Sequence, residues 1–249
     1  MKQRVEAGTT DALGQRPTSG DARCAAGGAS RLRRRQRHSH RLGNRVLVPV
    51  AALAVALEVA AYRWWHLRWG ATRAEVTATM PGDERLPGAA FVATRAITVA
   101  APPPDVWPWL LQVGSGRGGF YSYDLLDNLG RHSADEIIPK LQALTVGDWI
   151  PMSGRPSERR AFRVDSFETP SWMLWTKPDS TWAWELVCAA DGATRLVTRL
   201  RCRYSWRDFP AVLVSIPLME LADFSMMRRM LLGIRHRAES LSTQRIAAR

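Results

Sequence analysis

Residues 148–206 form a succession of short segments in which apolar and polar side chains alternate. Alternation with a period of two predicts half-buried β-strands, and the close spacing predicts that neighbouring strands pair antiparallel. This part of the chain therefore predicts an antiparallel sheet of about five strands. The segments are 148–152, 160–168, 171–177, 180–190 and 193–206, and the turns between them contain Ser153-Gly154, Pro170, Pro178-Asp179 and Asp191-Gly192.

The dipeptide Asp191-Gly192 is the strongest hairpin signal in the sequence. A two-residue turn there places Trp182 opposite Arg201 and Trp184 opposite Arg199, which predicts an exposed ladder of Arg over Trp. The alternative is that Arg199 and Arg201 line a pocket and bind an anionic ligand. The other face of the hairpin is then predicted to point inward; its members are Ala183, Val187, Leu196, Leu200 and Cys202, with Thr198 and Glu185 as polar exceptions.

A further strand is predicted over 93–100, and the prolines that follow it end it. Asp105 is expected to cap the next helix, with Pro108 in its first turn. The glycine-rich run 113–124 contains the spacing G-x-G-x-x-G. Because this run follows a helix and not a buried strand, it does not predict a dinucleotide site. Its glycines are expected to form a turn, and Ser122 to cap a second short helix that stops at Gly130.

The C-terminal part predicts a long helix with Pro217 in its first turn. Four of the eight methionines lie in residues 219–230. Flexible thioethers suit a variable apolar ligand, and ordinary core packing is the alternative. One face of the helix is predicted to be apolar; it carries Phe224, Met227, Leu231, Ile234, Ala238 and Leu241.

The N-terminal part divides into a basic tail and an apolar segment. Residues 1–45 hold eleven of the 35 Lys and Arg residues and almost no large apolar residues, so a disordered tail is predicted and no nucleic-acid partner is expected of the body. Residues 46–65 are apolar enough for one membrane crossing, with Tyr62, Trp64 and Trp65 as an interfacial belt.

The excess of Arg before the apolar segment predicts a single-pass protein of the cell membrane with a cytoplasmic N-terminus, whose tail contacts anionic lipid headgroups. Three alternatives stay open: a buried soluble helix, a cleaved signal peptide with its cut site at 54–56, and a helix lying in the membrane interface with the body in the cytoplasm. The remaining divisions are a linker over 66–90, a globular domain over 91–240 and a short tail over 241–249.

Four stretches together resemble a known family: "HLRWGAT" (66–72), "PGDE" (81–84), "ATRAITVAAPPPDVWPWLLQVGSGRGGFYSYDLLDNL" (93–129) and "MLLGIRHRAE" (230–239). The most specific part is "GRGGFYSYD" (116–124). They are similar to bacterial membrane-anchored proteins of the START/Bet v 1-like SRPBCC superfamily, a group that includes polyketide cyclase/dehydrase and lipid-transport-like proteins. The resemblance implies an α+β helix-grip fold, in which a curved antiparallel sheet surrounds a long C-terminal helix. It also implies an apolar cavity for a hydrophobic small molecule, such as a lipid or a polyketide.

The expected function is binding of such a molecule at the membrane, and the alternative is an enzyme of the polyketide cyclase/dehydrase type. The resemblance supplies no catalytic set, so the acid or base candidates come from the residues: Asp124, His132, Asp135 and Glu185. No cofactor is expected, and the three cysteines and five histidines show no metal-binding spacing. The predicted cavity residues are Trp109, Phe120, Tyr121, Tyr123, Leu196, Leu200, Phe224, Met227, Met230 and Leu231.

Overall fold

The computed structural model describes residues 47–189, 191–203 and 211–248, so the predicted tail 1–45 lies outside the described residues. The chain divides into two compact units, Met1–Val59 and Ala60–Arg249. Helix α1, Leu47–His66, has 20 residues and is long and apolar enough to cross a membrane. At 1.5 Å per residue it measures about 30 Å, the thickness of the hydrocarbon core of a bilayer.

The second unit is built on a six-stranded sheet with the order β1-β6-β5-β4-β3-β2. Every neighbouring pair is antiparallel, as the alternating segments predicted. The strands are β1 (Phe91–Val99), β2 (Trp149–Pro151), β3 (Ala161–Glu168), β4 (Trp172–Lys177), β5 (Ser180–Cys188) and β6 (Thr194–Cys202). The helices are α2 (Arg73–Thr77), α3 (Pro103–Leu111), α4 (Asp124–Asp127) and the long α5 (Ala211–Ala247), with a 3-10 turn at Pro139–Leu141. This α+β arrangement confirms the predicted helix-grip layout.

The inner face of the sheet carries three tryptophans, Trp175, Trp182 and Trp184, whose ring centroids lie 5.0 to 5.5 Å apart. They share one buried cluster with α3 and with the predicted apolar face of α5. Trp175 and Trp184 are fully buried, as are Leu231 and Ile234 of α5. Side chains of the protein itself therefore pack between the sheet and the helix, where the apolar cavity was expected.

The predicted register of the β5–β6 hairpin is wrong by one residue. Cys188 pairs with Thr194, and the loop closes where the Ala189 N–H donates to the Ala193 carbonyl at 2.8 Å. Gly192, at φ +79°, occupies a left-handed position that favours glycine. The loop is thus one residue longer than predicted, and a one-residue slip exchanges the faces of a strand.

As a result, Trp182 lies opposite Leu200 and Trp184 lies opposite Thr198, all on the inner face. The Trp182 indole N–H donates to the Thr198 hydroxyl at 2.9 Å. Ala183, Val187 and Glu185, which were predicted to point inward, belong to the outer face. The predicted Arg-over-Trp ladder does not form. Cys188 is exposed and Cys202 is half-buried, and both are free thiols.

The outer face is covered by residues 70–86, here called the strap, which fall in the predicted linker. Arg199, with 4% of its side chain exposed, lies 2.6 Å from the Asp83 carboxylate. Arg201 reaches the same carboxylate at 3.2 Å. The anion that these two arginines bind is therefore part of the chain itself. Arg195 donates to Glu75 at 2.7 Å, and this hydrogen bond lowers the pKa of Glu75 to about 2.

The C-terminal end of α1 packs on α5 within the second unit. Arg63 donates to both oxygens of the buried Glu220 carboxylate at 2.9 Å. Phe224 lies among the rings of Tyr62, Trp65, His66 and Trp69, with centroid distances between 5.2 and 6.5 Å. These contacts are made by predicted interfacial aromatics and by a predicted cavity residue.

Three predicted helix starts are also corrected. Helix α3 begins at Pro103, so Asp105 lies inside its first turn and pairs with Arg245 instead of capping. Ser122 does not cap α4, because its hydroxyl donates to the Met226 carbonyl at 3.0 Å. Helix α5 already includes Ala211, so Pro217 lies beyond its first turn.

Candidate functional site

A pocket of about 220 Å³ lies between the N-terminal half of α5 and the inner face of the sheet. At about 30 Å³ per water-sized group, it has room for roughly seven non-hydrogen atoms. Ligand pockets of drug-sized molecules start near 300 Å³, so this one accepts a small molecule or one end of a larger one. It is lined by Phe120, Ser122, Leu126, Asp127, Met152, Trp182, Asp223, Met226, Met227 and Met230.

The glycine-rich run builds one wall of this pocket. The Gly114 N–H donates to the Gly119 carbonyl, and the Gly119 N–H donates back to the Gly114 carbonyl, which closes a tight turn. Gly119 has φ +82°, and a Cβ there would lie 2.4 Å from the Ser133 hydroxyl oxygen. Only glycine fits this close approach, and the turn places Phe120 against the pocket. The run thus has a structural role, consistent with the rejection of a dinucleotide site.

The long helix supplies the opposite wall. Met227 and Met230 are almost fully buried, and Met226 beside them is half-buried. Together with Met152 they give the pocket four thioether side chains, which adapt to the shape of an apolar molecule. We call it the methionine pocket.

Two carboxyl groups, Asp127 and Asp223, stand among these apolar residues. Asp127 is 8% exposed, and neither of its oxygens has a hydrogen-bond partner among the described residues. Burial raises the pKa of Asp127, and the nearby charge of Asp124 raises it further. The Ser122 hydroxyl lies nearby and lowers this pKa, but the hydrogen bond that it donates goes to the Met226 carbonyl.

Asp223 differs from Asp127 because it has a cationic partner. The Arg95 guanidinium lies 2.8 Å from the Asp223 Oδ2. Arg95 stands on the inner face of the sheet and is 1% exposed. The Arg95 Nε–H also donates to the His66 carbonyl at 3.0 Å. Arg95 thus connects a pocket carboxylate to the C-terminal end of α1.

Three of the ten predicted cavity residues line the pocket: Phe120, Met227 and Met230. Leu196 and Leu231 are core residues, with Leu200 packed against the same core. Phe224 lies in the aromatic cluster at the end of α1, and Tyr123 is 40% exposed under Arg229.

Trp109 and Tyr121 are buried together elsewhere in the core. The Tyr121 hydroxyl donates to the Trp109 carbonyl at 3.1 Å, and burial raises the pKa of this phenol. Trp109 lines a separate groove of about 480 Å³ with Asp135 and His236. These two predicted cavity residues therefore do not join the methionines.

The four predicted acid or base candidates lie outside the methionine pocket. The Asp124 carboxylate accepts the backbone N–H of Ser133 at 3.1 Å and also its hydroxyl, and His132 beside it is 88% exposed. Asp135 pairs with Arg237 at 2.7 Å and is largely exposed. Glu185 stands on the outer face near Arg199, where burial raises its pKa. In the described part of the chain, no three His, Cys, Asp or Glu side chains converge on a common metal position.

The predicted cavity set lacked seven residues that line the pocket: Ser122, Leu126, Asp127, Met152, Trp182, Asp223 and Met226. The missed register explains Trp182, which was assigned to the exposed face. A signal for Asp223 existed, because it stands one helical turn before Met227 and Met226 on α5. Nothing in the spacing of Asp127 separates it from Asp124, since both lie in the four-residue helix α4.

No family model and no curated protein matches the chain. Solved structures with a similar arrangement include a polyketide-cyclase-like protein of Corynebacterium glutamicum, at 15% identity and a TM-score of 0.38 over 58% of this chain and 88% of that one. CalU16 of Micromonospora echinospora has 15% identity and a TM-score of 0.29 over 61% and 86% of the two chains. The Aha1 dimer of Colwellia psychrerythraea has 14% identity and a TM-score of 0.29 over 54% and 92%. Each of these likenesses concerns the arrangement of strands and helices alone.

Proposed function

We propose that this protein is anchored in a membrane by α1 and binds a small hydrophobic molecule in the methionine pocket. The observation that carries the proposal is the pocket itself, in which four methionines, Phe120 and Trp182 surround free space beside an otherwise filled core. Burying apolar ligand surface contributes about 25 cal/mol per Å², so even a ligand of roughly seven heavy atoms gains measurable affinity. A larger lipid or polyketide would insert only one end.

Membrane attachment is supported by α1 and by exposed leucines next to the pocket. Leu126 lines the pocket, and it is 71% exposed, with Leu125 and Leu129 similarly exposed beside it. Exposed apolar residues grouped in this way mark a surface that contacts a partner or a membrane. An anchored protein would meet hydrophobic ligands that are concentrated in the bilayer. Contact of the Arg-rich tail with anionic headgroups remains part of the proposal.

The pocket is tested with the full chain in detergent micelles, using cyclohexylmethanol as a small neutral probe. Ligand-observed NMR, with empty micelles as the blank, measures saturable binding. Met227→Trp fills the pocket and should abolish it. Because Met227 is buried, Met226→Trp at the half-buried neighbouring position serves as a second filling variant.

Met219→Trp is the matched control, since Met219 lies on the same helix but is 62% exposed. It should bind the probe as the wild type does. Equal uptake of the probe by the wild type and by both filling variants would show that binding does not occur in this pocket.

The second candidate is an enzyme of the polyketide cyclase/dehydrase type. One observation favours it: Asp127 is an unpartnered acid in the pocket with a raised pKa, which is the kind of group that general acid–base catalysis uses. A carrier returns its ligand unchanged. Mass spectrometry of the co-purified molecules before and after incubation with fresh full chain separates the two candidates, because only an enzyme would convert them into a different species, and Asp127→Asn should then slow that conversion.

A further inference from the structure

The polar part of the methionine pocket selects the charge of its ligand. Among the described residues that line it, Asp127 and Asp223 are acidic and none is basic. Asp223 already has the Arg95 guanidinium at 2.8 Å. Asp127 is more than nine-tenths buried, and both of its oxygens lack a partner. A buried carboxylate without a partner destabilises the folded protein, so a ligand that donates hydrogen bonds to it binds more tightly.

The neighbouring side chains do not relieve Asp127. The Ser122 hydroxyl donates to the Met226 carbonyl, and the Arg229 Nε–H donates to the Ser122 carbonyl at 3.1 Å. Asp124 is itself a carboxylate and is held by Ser133. Since neither Asp127 oxygen has a hydrogen-bond partner among the described residues, a ligand that donates hydrogen bonds would supply one.

The remaining lining residues favour a cation as that donor. Phe120 and Trp182 present aromatic rings in the pocket, and aromatic faces attract ammonium groups. The methionine sulfurs are weak hydrogen-bond acceptors, so they can also lie next to an ammonium group. A carboxylate or phosphate ligand would instead meet two acids of its own sign.

We propose that the pocket binds a small amine, a protonated nitrogen on an apolar body of roughly seven or eight heavy atoms, with Asp127 as the counter-ion of the ammonium group. This inference rests on the proposed function and names the chemical class of its ligand. The apolar body lies against the four methionines, and the N–H groups donate to the Asp127 carboxylate.

Three probes with the same ring test the inference: cyclohexylmethylamine, cyclohexylmethanol and cyclohexanecarboxylate. Each is titrated at pH 7 against the full chain in detergent micelles, with empty micelles and the filled-pocket variant Met227→Trp as blanks. The alcohol O–H can also donate to Asp127, but only the ammonium group adds the attraction of opposite charges, so the amine should bind about tenfold or more tightly than the alcohol. The carboxylate should bind more weakly than the alcohol.

Asp127→Asn should remove the preference for the amine, so that the amine and the alcohol then bind with about equal affinity. Wild-type protein that binds alcohol and amine equally well would overturn the inference and leave the proposed function standing. Retained preference for the amine in Asp127→Asn would overturn the role of Asp127. If none of the three probes binds beyond the level of Met227→Trp, the proposed function itself is wrong.

Discussion

Asp124 and Asp127 stand three residues apart in the same short helix, yet their surroundings are opposite. Asp124 accepts hydrogen bonds from the backbone N–H and the hydroxyl of Ser133. Asp127 accepts none from the described residues, and burial raises its pKa. A residue in a binding site often reduces stability, because its polar group is reserved for a ligand. Asp127 fits that description and Asp124 does not.

Asp127→Asn should therefore stabilise the folded protein at pH 7 in the absence of ligand, by about 1 kcal/mol. The folded-state pKa of Asp127 lies above the unfolded value near 3.9, so the wild type loses stability as pH rises from that value through the folded pKa. The Asn variant has no such loss. Thermal melts should show a higher Tm for Asp127→Asn at pH 7, and the difference should vanish near pH 4 and below.

Asp124→Asn is the control for that comparison. It weakens two hydrogen bonds to a charged acceptor and should lower stability at pH 7 by about 1 kcal/mol. A variant of Asp127 that is also destabilised at pH 7 would mean that its carboxylate has a favourable partner in the folded state.

At the residue scale the sequence predicted three apolar residues of the pocket, Phe120, Met227 and Met230, and missed both of its acids. Met227 and Met230 could be recognised because they repeat at helical spacing on a long element. Asp127 and Asp223 owe their importance to what surrounds them in three dimensions. Arg95, which satisfies one of them, is more than a hundred positions away along the chain. Single-sequence patterns carry no information about such pairs.

At the scale of elements, the strap shows what a wrong register hides. The predicted two-residue turn placed Arg199 and Arg201 opposite tryptophans. In the observed register they face the strap and form ion pairs with Asp83. Arg195, on the same face of β6, holds Glu75. The segment 70–86 therefore closes the outer face of the sheet, where composition had indicated a linker. Its binding to β6 depends on long-range ion pairs that alternation alone cannot reveal.

Asp83→Asn should destabilise the protein strongly, by about 3 kcal/mol or more, because Arg199 would stay buried without its carboxylate. Limited proteolysis should then cut within 70–86 at lower protease concentration than in the wild type. Glu84→Gln is the control, since the neighbouring Glu84 side chain is 69% exposed and its loss should change stability by less than about 0.5 kcal/mol. Equal proteolysis of both variants would contradict the role of the strap contacts.

The contact between α5 and the glycine-rich segment depends on Gly233. A Cβ at this position would lie 2.2 Å from the Tyr121 carbonyl oxygen. Alanine improves helix propensity by about 1 kcal/mol, but a backbone atom at that distance cannot move aside without displacing the helix. Gly233→Ala should therefore destabilise by about 2 kcal/mol net, measured by denaturant melts. The control is Ser240→Ala, at an exposed position of α5, which should change stability by only a few tenths of a kcal/mol. Stabilisation by Gly233→Ala would show that the gain in helix propensity outweighs the steric clash with Tyr121.

At the scale of the whole molecule, the succession of strands and helices along the chain, the long helix and the apolar α1 were all predictable, because each depends on a periodicity or a composition that persists over many residues. The size of the cavity was not. A helix-grip layout leaves the space between sheet and helix undefined until side-chain volumes are known. Here Trp175, Trp184 and Leu231 occupy most of it. The eleven tryptophans of the sequence were a sign of this filling, but their direction depended on the register.

The proposed membrane anchor, helix α1, gives a prediction at the scale of the whole molecule. Leu53 and Leu57 lie in the middle of α1, and Arg at the centre of a membrane helix costs about 2.5–3.5 kcal/mol per residue on insertion scales. The full chain should stay with the membrane fraction after an alkaline carbonate wash, and Leu53→Arg combined with Leu57→Arg should release it. Leu47→Arg with Val48→Arg places the same charges at the end of α1, where they reach the interface, and should leave the protein in the membrane. Release of the wild type by the wash, or retention of the central double variant, would contradict a spanning role for α1.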